Sequence, residues 1–521
     1  MIWLLRFYFP EGPEWFFSSE PAEPDQDGDA LFHEPSLSIP GFTESVSWGT
    51  GGLGECSASI SFLPAGIDIA ELHFKRGHRL DTARAELALW TPGTPYRARV
   101  KLIHGDFTPS TIPILGSPVE GEVTQSVLRE ARLYPPSSAV ATVETWSDLP
   151  VSADEGDDSE GTPYPLWIGA GGDYTSATGA ARQRSCIQCI LVDDSPDTLL
   201  VSYEHMQAST AEIWSTENAS AYTATLTATT DETGQPCTTA DISGSGWSWA
   251  TTAADDIFYV VSITAGVRSA RGTGAVYGLG DAILWLLLKR YDPQGVPEQI
   301  DIAAWEVVRP VLDQIKIGLL IEDGSDPLDV VMSDLLPAAP ALYIVPGPSG
   351  LRPVFFEATP PDACPLLIAR DGDERGPDLY REEGSEPEIV GDEPITQVVV
   401  RFARRLADGK FKARYTLDST RHAGAAAAAT WYGTRVEEVE APAIWQRASA
   451  RLLAAEILRV RGTRATSDEY FAPLDVGARL YLGQRVRVQD DDASYVNRPM
   501  SVIGRELTED GLGWLVTLID Y

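Results

Sequence analysis

Both ends of this 521-residue chain consist of short runs of alternating apolar and polar residues that stop at turns. Alternation with period two puts one face of a strand in a core and the other in solvent. Residues 57–62 alternate, residues 83–90 and 96–104 do so again, and residues 2–9 form an apolar run. At the far end the runs are 479–482, 484–488, 500–505 and 514–519, with turns at 490–493 and 509–513. Short strands at this spacing suggest antiparallel barrels or sandwiches. No repeat of fixed period is visible, although the two β-rich ends read as possible distant copies of one barrel.

Two acid-rich segments divide the chain. Residues 147–163 hold six acidic residues and no basic one, and residues 371–394 hold ten against Arg375 and Arg381. Both are rich in Gly, Pro and Ser and read as solvated linkers or loops. The expected fold is mainly β with an α+β block, in four parts. Residues 1–146 form a β-barrel-like domain, 164–270 a Thr/Ser-rich β-sandwich insertion, 275–368 an α+β domain, and 395–521 a second β-barrel domain.

The insertion carries strand-like pieces at 187–192, 199–203, 222–228 and 257–264 and has no lysine. In the α+β block, Asp281 is placed to cap a helix over 282–290, with Lys289 and Arg290 at its C-terminal end. A second helix over 302–312 is expected to stop near Pro310, and a strand follows at 315–321. Asp326 followed by Pro327 signals a helix running to Leu336. Residues 341–345 and 351–356 then read as a hairpin. In the last part, 396–404 and 410–415 pair across the turn 407–409, and a helix covers about 442–460. Its apolar face is read as Ile444, Ala448, Leu452 and Ala455, and its Arg447, Arg451 and Arg459, with Arg461, as partners for Glu437, Glu438 and Glu440, the alternative being a surface for a binding partner. Residues 422–430, almost pure alanine, are a short helix or a loop packed on another subunit.

Charge narrows the function. Lys and Arg number 40 against 76 Asp and Glu, a net charge of −36. Binding to nucleic acid or to anionic lipid depends on cations, so neither is expected. Residues 1–10 are not expected to be a signal peptide, because Arg6 interrupts the apolar run and no small-residue cleavage site follows. No apolar run approaches a membrane span. Five cysteines (Cys56, Cys186, Cys189, Cys237, Cys364) imply no disulfide framework and a reducing cytoplasm.

The motifs point to no chemistry. Cys186 and Cys189 form a CxxC without the second pair that a zinc site needs, and residues three apart in a strand face opposite sides. Ordinary thiols are expected there. Gly272, Gly274, Gly278 and Gly280 precede a helix but fit neither phosphate-loop pattern. His33, His73, His78, His104, His205 and His422 show no metal spacing. Asp193/Asp194 and Asp490–Asp492 sit in turn contexts, where acids are common. The 14 tryptophans share no motif and read as core and interface. No catalytic, cofactor-binding or metal-binding residue is assigned.

Three stretches carry a resemblance. They are 279–288 with 299–305, then 326–336 leading to the hairpin and 350–355, and finally 474–488 with 514–520. Their order, with a barrel on either side, resembles the baseplate or tail-tip hub proteins of long-tailed bacteriophages. The resemblance covers 275–521 and, more thinly, 1–130, with 164–270 as a decoration. It implies a structural virion protein with no chemical step and no cofactor. Such hubs are homotrimers whose two barrels per chain make a pseudo-sixfold ring joining the tail tube to the tip or central fibre. The ring surrounds the channel through which DNA leaves. The implied partners are further copies of the chain, distal tail or tube proteins, and tip or central fibre proteins. DNA passes without specific binding, and the chain inserts in no membrane. It would be made in the host cytoplasm and reside at the virion tail tip. A channel wall rich in acids would repel phosphates over a Debye length, about 8 Å. Two other readings are a receptor- or glycan-binding tail adhesin using 164–270 and a carbohydrate-active hydrolase.

Overall fold

The computed structural model describes the chain apart from residues 10–11, 27–28, 31–32, 50, 65–78, 111–116, 125–133, 137–138, 140–162, 170, 173–186, 189, 194–197, 208–209, 216–220, 242–257, 264–266, 268–274, 292–299, 322–323, 357–363, 370–377, 382–385, 392, 405–409, 419, 492 and 510. The fold is mostly β, in several sheets, with a smaller helical part. The acidic segment 147–162, Cys186, Cys189, Gly272, Gly274, His73, His78 and the turn 407–409 lie outside the described residues.

The largest sheet has 14 strands and takes in both ends of the chain. Its N-terminal half runs in the order Leu37–Ser45, Glu55–Phe62, Val119–Thr124, Val100–Pro109, Arg84–Trp90, Ile2–Tyr8, Glu14–Ser18. This half curls. Phe7 and Phe17 reach Phe62 with ring centroids at 5.0 and 4.5 Å, although their strands lie four and five places from it in the order. The alternation read at 57–62 places Ala58, Ile60 and Phe62 in that interior. The C-terminal half comprises Ala465–Pro473, Gly513–Asp520, Tyr495–Leu507 and Arg485–Asp490.

Eight strands between Gly171 and Ile263 form a second sheet. The segment 187–193 pairs with Phe258–Ile263 through Ile187–Gln188 and with Thr198–Tyr203 through Ile190–Asp193. The sheet therefore returns on itself. The strand just before it, Leu166–Gly169, lies outside this sheet and pairs with Gly318–Ile321 of the α+β block in a two-stranded sheet.

In that block the hairpin Leu342–Gly347 and Gly350–Phe355 separates two cores. Leu342, Ile344 and Leu351 belong to the core around helix Leu279–Tyr291. Tyr343, Val345 and Val354 belong to the core inside the 14-stranded sheet. Period-two alternation, with both faces apolar, gives one strand to each core in turn. A three-stranded sheet in the order Phe411–Asp418, Gln397–Arg404, Val436–Glu440 lays its inner face on helix Arg447–Arg461.

Several local expectations change. The first helix begins at Leu279 rather than after Asp281. Its cap is Asp313, whose Oδ1 accepts from the Asp281 backbone N at 2.9 Å. A carboxylate from beyond the next helix thus takes the role expected of Asp281. Gly278 makes room for it, since a Cβ there would lie 2.1 Å from Asp313 Oδ1. Gly278→Ala is expected to cost about 1–3 kcal/mol, read as a lowered thermal midpoint.

Helix Ile302–Leu312 has the bounds read from the sequence and carries Pro310 inside its last turn. Near the C-terminal end proline removes one bond of the ladder, and the Asp313 N still donates to Arg309 O at 2.8 Å. Asp326 caps with Pro327 at the first helical turn, as read. That helix loosens to a π turn through Val331–Leu335 and tightens to a 3-10 turn through Leu336–Ala338.

The long helix starts at Arg447, not Pro442, and buries Ala450, Leu453, Ala454, Ile457 and Leu458. Ala448 is exposed, and Leu452 and Ala455 are half-buried. A competing stripe at the same helical spacing wins because it faces the sheet. Residues 479–482 form no strand; the short helix Leu474–Gly477 and a turn occupy that place. The alanine stretch is a helix, Ala423–Tyr432, with His422 Nδ1 accepting from the Ala425 N at 3.3 Å.

Candidate functional site: the seam between the two ends

The two ends of the chain meet where Leu37–Ser45 pairs antiparallel with Tyr495–Leu507. Glu44 lies directly opposite Arg505. The Glu44 carboxylate is buried at 2% exposure and receives two guanidinium groups. Arg505 Nε donates to its Oε2 at 2.6 Å, and Arg352 Nη2 donates to its Oε1 at 2.6 Å. Arg352 comes from the hairpin of the α+β block, so one carboxylate joins three distant parts of the sequence. Arg505 Nη1 also donates to Leu480 O at 2.7 Å, and the guanidinium lies 5.3 Å from the Trp514 ring and 5.5 Å from Phe42. Burial pushes the Glu44 carboxyl up, but the two arginines outweigh it and hold it below the usual range. The same seam is reinforced beside it. The Gly54 N donates to Ile344 O at 2.9 Å, and a Cβ on Gly54 would lie 2.7 Å from Val345.

A second buried ionic cluster fastens the acidic segment 371–394. Arg381 pairs with Asp468 and reaches Asp490 at 3.6 Å. Tyr495 OH donates to Asp468 Oδ2 at 2.7 Å and Tyr470 OH to Asp490 Oδ2 at 3.0 Å. Burial, then Asp468, push the Tyr495 phenol up to about 12. The segment is therefore more than a solvated loop. Glu388–Val390 pairs with Ala465–Pro473, and the Tyr380 N donates to Phe471 O at 2.7 Å. Asp490, read as a turn acid, is 2% exposed and structural. These carboxylates are closed in by phenols and a guanidinium, so this pair does not present an acid/base dyad to a substrate.

The other singled-out residues are also accounted for locally. His33 is buried, His104 Nε2 lies 2.7 Å from Tyr8 OH, and His205 Nε2 lies 2.9 Å from Thr229 O. Burial pushes the Cys237 thiol up to about 12 and Cys56 higher still, away from nucleophilic character. Cys56, Cys237 and Cys364 are buried and form no disulfide. Arg461 pairs with Glu437, as the acids upstream of the helix suggested, while Arg459 takes Glu456 within its own helix. Trp3, Trp90, Trp167, Trp285, Trp305 and Trp514 are buried, whereas Trp431 is 83% exposed. Among the described residues no group of acids, histidines and cysteines is placed to hold a metal ion, and no helix is long and apolar enough to cross a membrane.

Sequence reading missed Glu44, Arg352 and Arg505 altogether. The one signal they carry is a charged residue inside an otherwise apolar or alternating strand.

No family model matches the chain, and no curated protein matches it. Among solved structures the chain is similar to the 43 kDa tail protein of prophage MuSo2 from Shewanella oneidensis, at TM-score 0.39 and 10% identity over 99% of this chain and 97% of that one. It is similar to prophage tail protein gp18 from Listeria monocytogenes EGD-e, at TM-score 0.37 and 9% identity over 99% and 94%. It is also similar to a tail protein from Neisseria meningitidis MC58, at TM-score 0.38 and 10% identity over 99% and 96%.

Proposed function

We propose that this chain is a structural protein of a bacteriophage tail, acting as the hub at the tail tip or baseplate. Three copies form a ring that joins the tail tube to the tip or central fibre and surrounds the DNA exit channel. The observation that carries this reading is the seam. Two β-rich units from opposite ends of the chain stand side by side in one sheet, locked by Glu44, Arg352 and Arg505. A rigid pair of units per chain is what a threefold assembly needs to present six positions to a sixfold tube. The role requires no chemical step. The net charge of −36 suits a wall that DNA passes without being held.

The test is electron microscopy of the particle that carries this chain, with the chain labelled. The expected image is a ring of three copies at the end of the tail tube. Label on lateral fibres or in the capsid would overturn the reading.

A further inference from the structure

The three-stranded sheet has two edges of opposite charge. In its order, Phe411–Asp418 and Val436–Glu440 are the outer strands, and Gln397–Arg404 lies between them. The first edge exposes Lys412 and Arg414, and the second exposes Glu438 and Glu440. The register aligns Glu440, Arg401 and Arg414 in one row across the outer face. All three are exposed. Arg401 pairs within the chain with Glu438. Arg414 therefore has a like charge directly beside it on its inner side, which destabilises a cross-strand pair. An acid on its outer side would relieve that row. The helix leading into the acidic strand ends in a bare apolar surface, with Trp431 83% exposed and Val436 55% exposed.

We propose that these edges bind each other across copies, the Phe411–Asp418 edge of one chain adding to the Val436–Glu440 edge of the next. The strand directions agree with this. The basic strand is antiparallel to the central strand and the acidic strand is parallel to it, so a copy in the same orientation completes an antiparallel ladder. Charge sets the partner. Basic edge on basic edge and acidic edge on acidic edge both repel, which disfavours a two-fold contact and favours a head-to-tail one. A head-to-tail contact closes into a ring when its rotation allows. Closure at three rests on the hub reading; the edge contact does not.

The experiment is sedimentation of the full-length chain over a concentration series at low and high salt. Wild type is expected to associate, and more weakly as salt rises. Arg414→Glu gives Arg401 an opposite charge across the strand, so the monomer stays folded, while association is expected to fall roughly a hundredfold. Glu440→Arg alone is expected to do the same. The double variant R414E/E440R exchanges the two charges and is expected to restore association to within about tenfold of wild type. A wild type that stays monomeric overturns the inference, as does an oligomer unaffected by Arg414→Glu or a double variant that fails to recover. An oligomer that ignores these changes still permits a tail-tip ring by another contact. An edge-linked oligomer whose label is absent from the tail tip overturns the hub reading and leaves the inference standing.

Discussion

Glu44→Gln is expected to lower the stability of the folded chain by about 3–5 kcal/mol, because it leaves the buried Arg505 guanidinium and the half-buried Arg352 without their carboxylate. Arg505 is 6% exposed and Arg352 reaches the same carboxylate from another part of the chain, so water cannot take over the missing charge cheaply. An amide still accepts one hydrogen bond but neutralises neither cation. The loss should appear as a shift of the urea midpoint. It should also carry a pH signature. Glu44 is held below its ordinary value of 4.5, so its contribution is fully present above that value and is lost as pH falls through the lowered one. Wild type should therefore lose more stability on acidification through this window than the glutamine variant does. Equal acid sensitivity of the two proteins would contradict the assignment.

Arg381→Ala is expected to be of similar size, about 3–5 kcal/mol, since it leaves Asp468 and Asp490 buried without the guanidinium that pairs with them. The variant should also free the acidic segment. Protease cleavage within 371–394 should rise well before the rest of the chain is cut, because Arg381 helps the Tyr380–Phe471 bridge and the short strand Glu388–Val390 to fasten it. Cleavage that appears only with global unfolding would show that the clasp holds nothing by itself.

What the sequence revealed follows from range. Strands at 57–62, 83–90 and 514–519, the Asp326–Pro327 cap and the 342–355 hairpin are local, and period two or a capping pair announces them. The seam has no local signal. Glu44 and Arg505 are 461 residues apart, and each looks like the polar member of an ordinary alternating strand. Asp490 follows a strand and opens a turn, so its composition matches a solvated acid, while its burial depends on Tyr470 and Arg381 from elsewhere. Asp313 displaced Asp281 as cap for the same reason: the competing carboxylate arrives from 32 residues away. The wrong face assigned to helix Arg447–Arg461 shows a different limit. Two apolar stripes existed, and only the sheet beneath decides which is used.

The hairpin that feeds alternate side chains to two cores has a mechanical meaning. It is a party wall, with Tyr343 and Val345 fixed in one room and Leu342 and Ile344 in the other. A pull or twist applied to the joined terminal sheet reaches the helical block through this wall along covalent backbone. The two cores therefore move as one body wherever the hairpin is loaded.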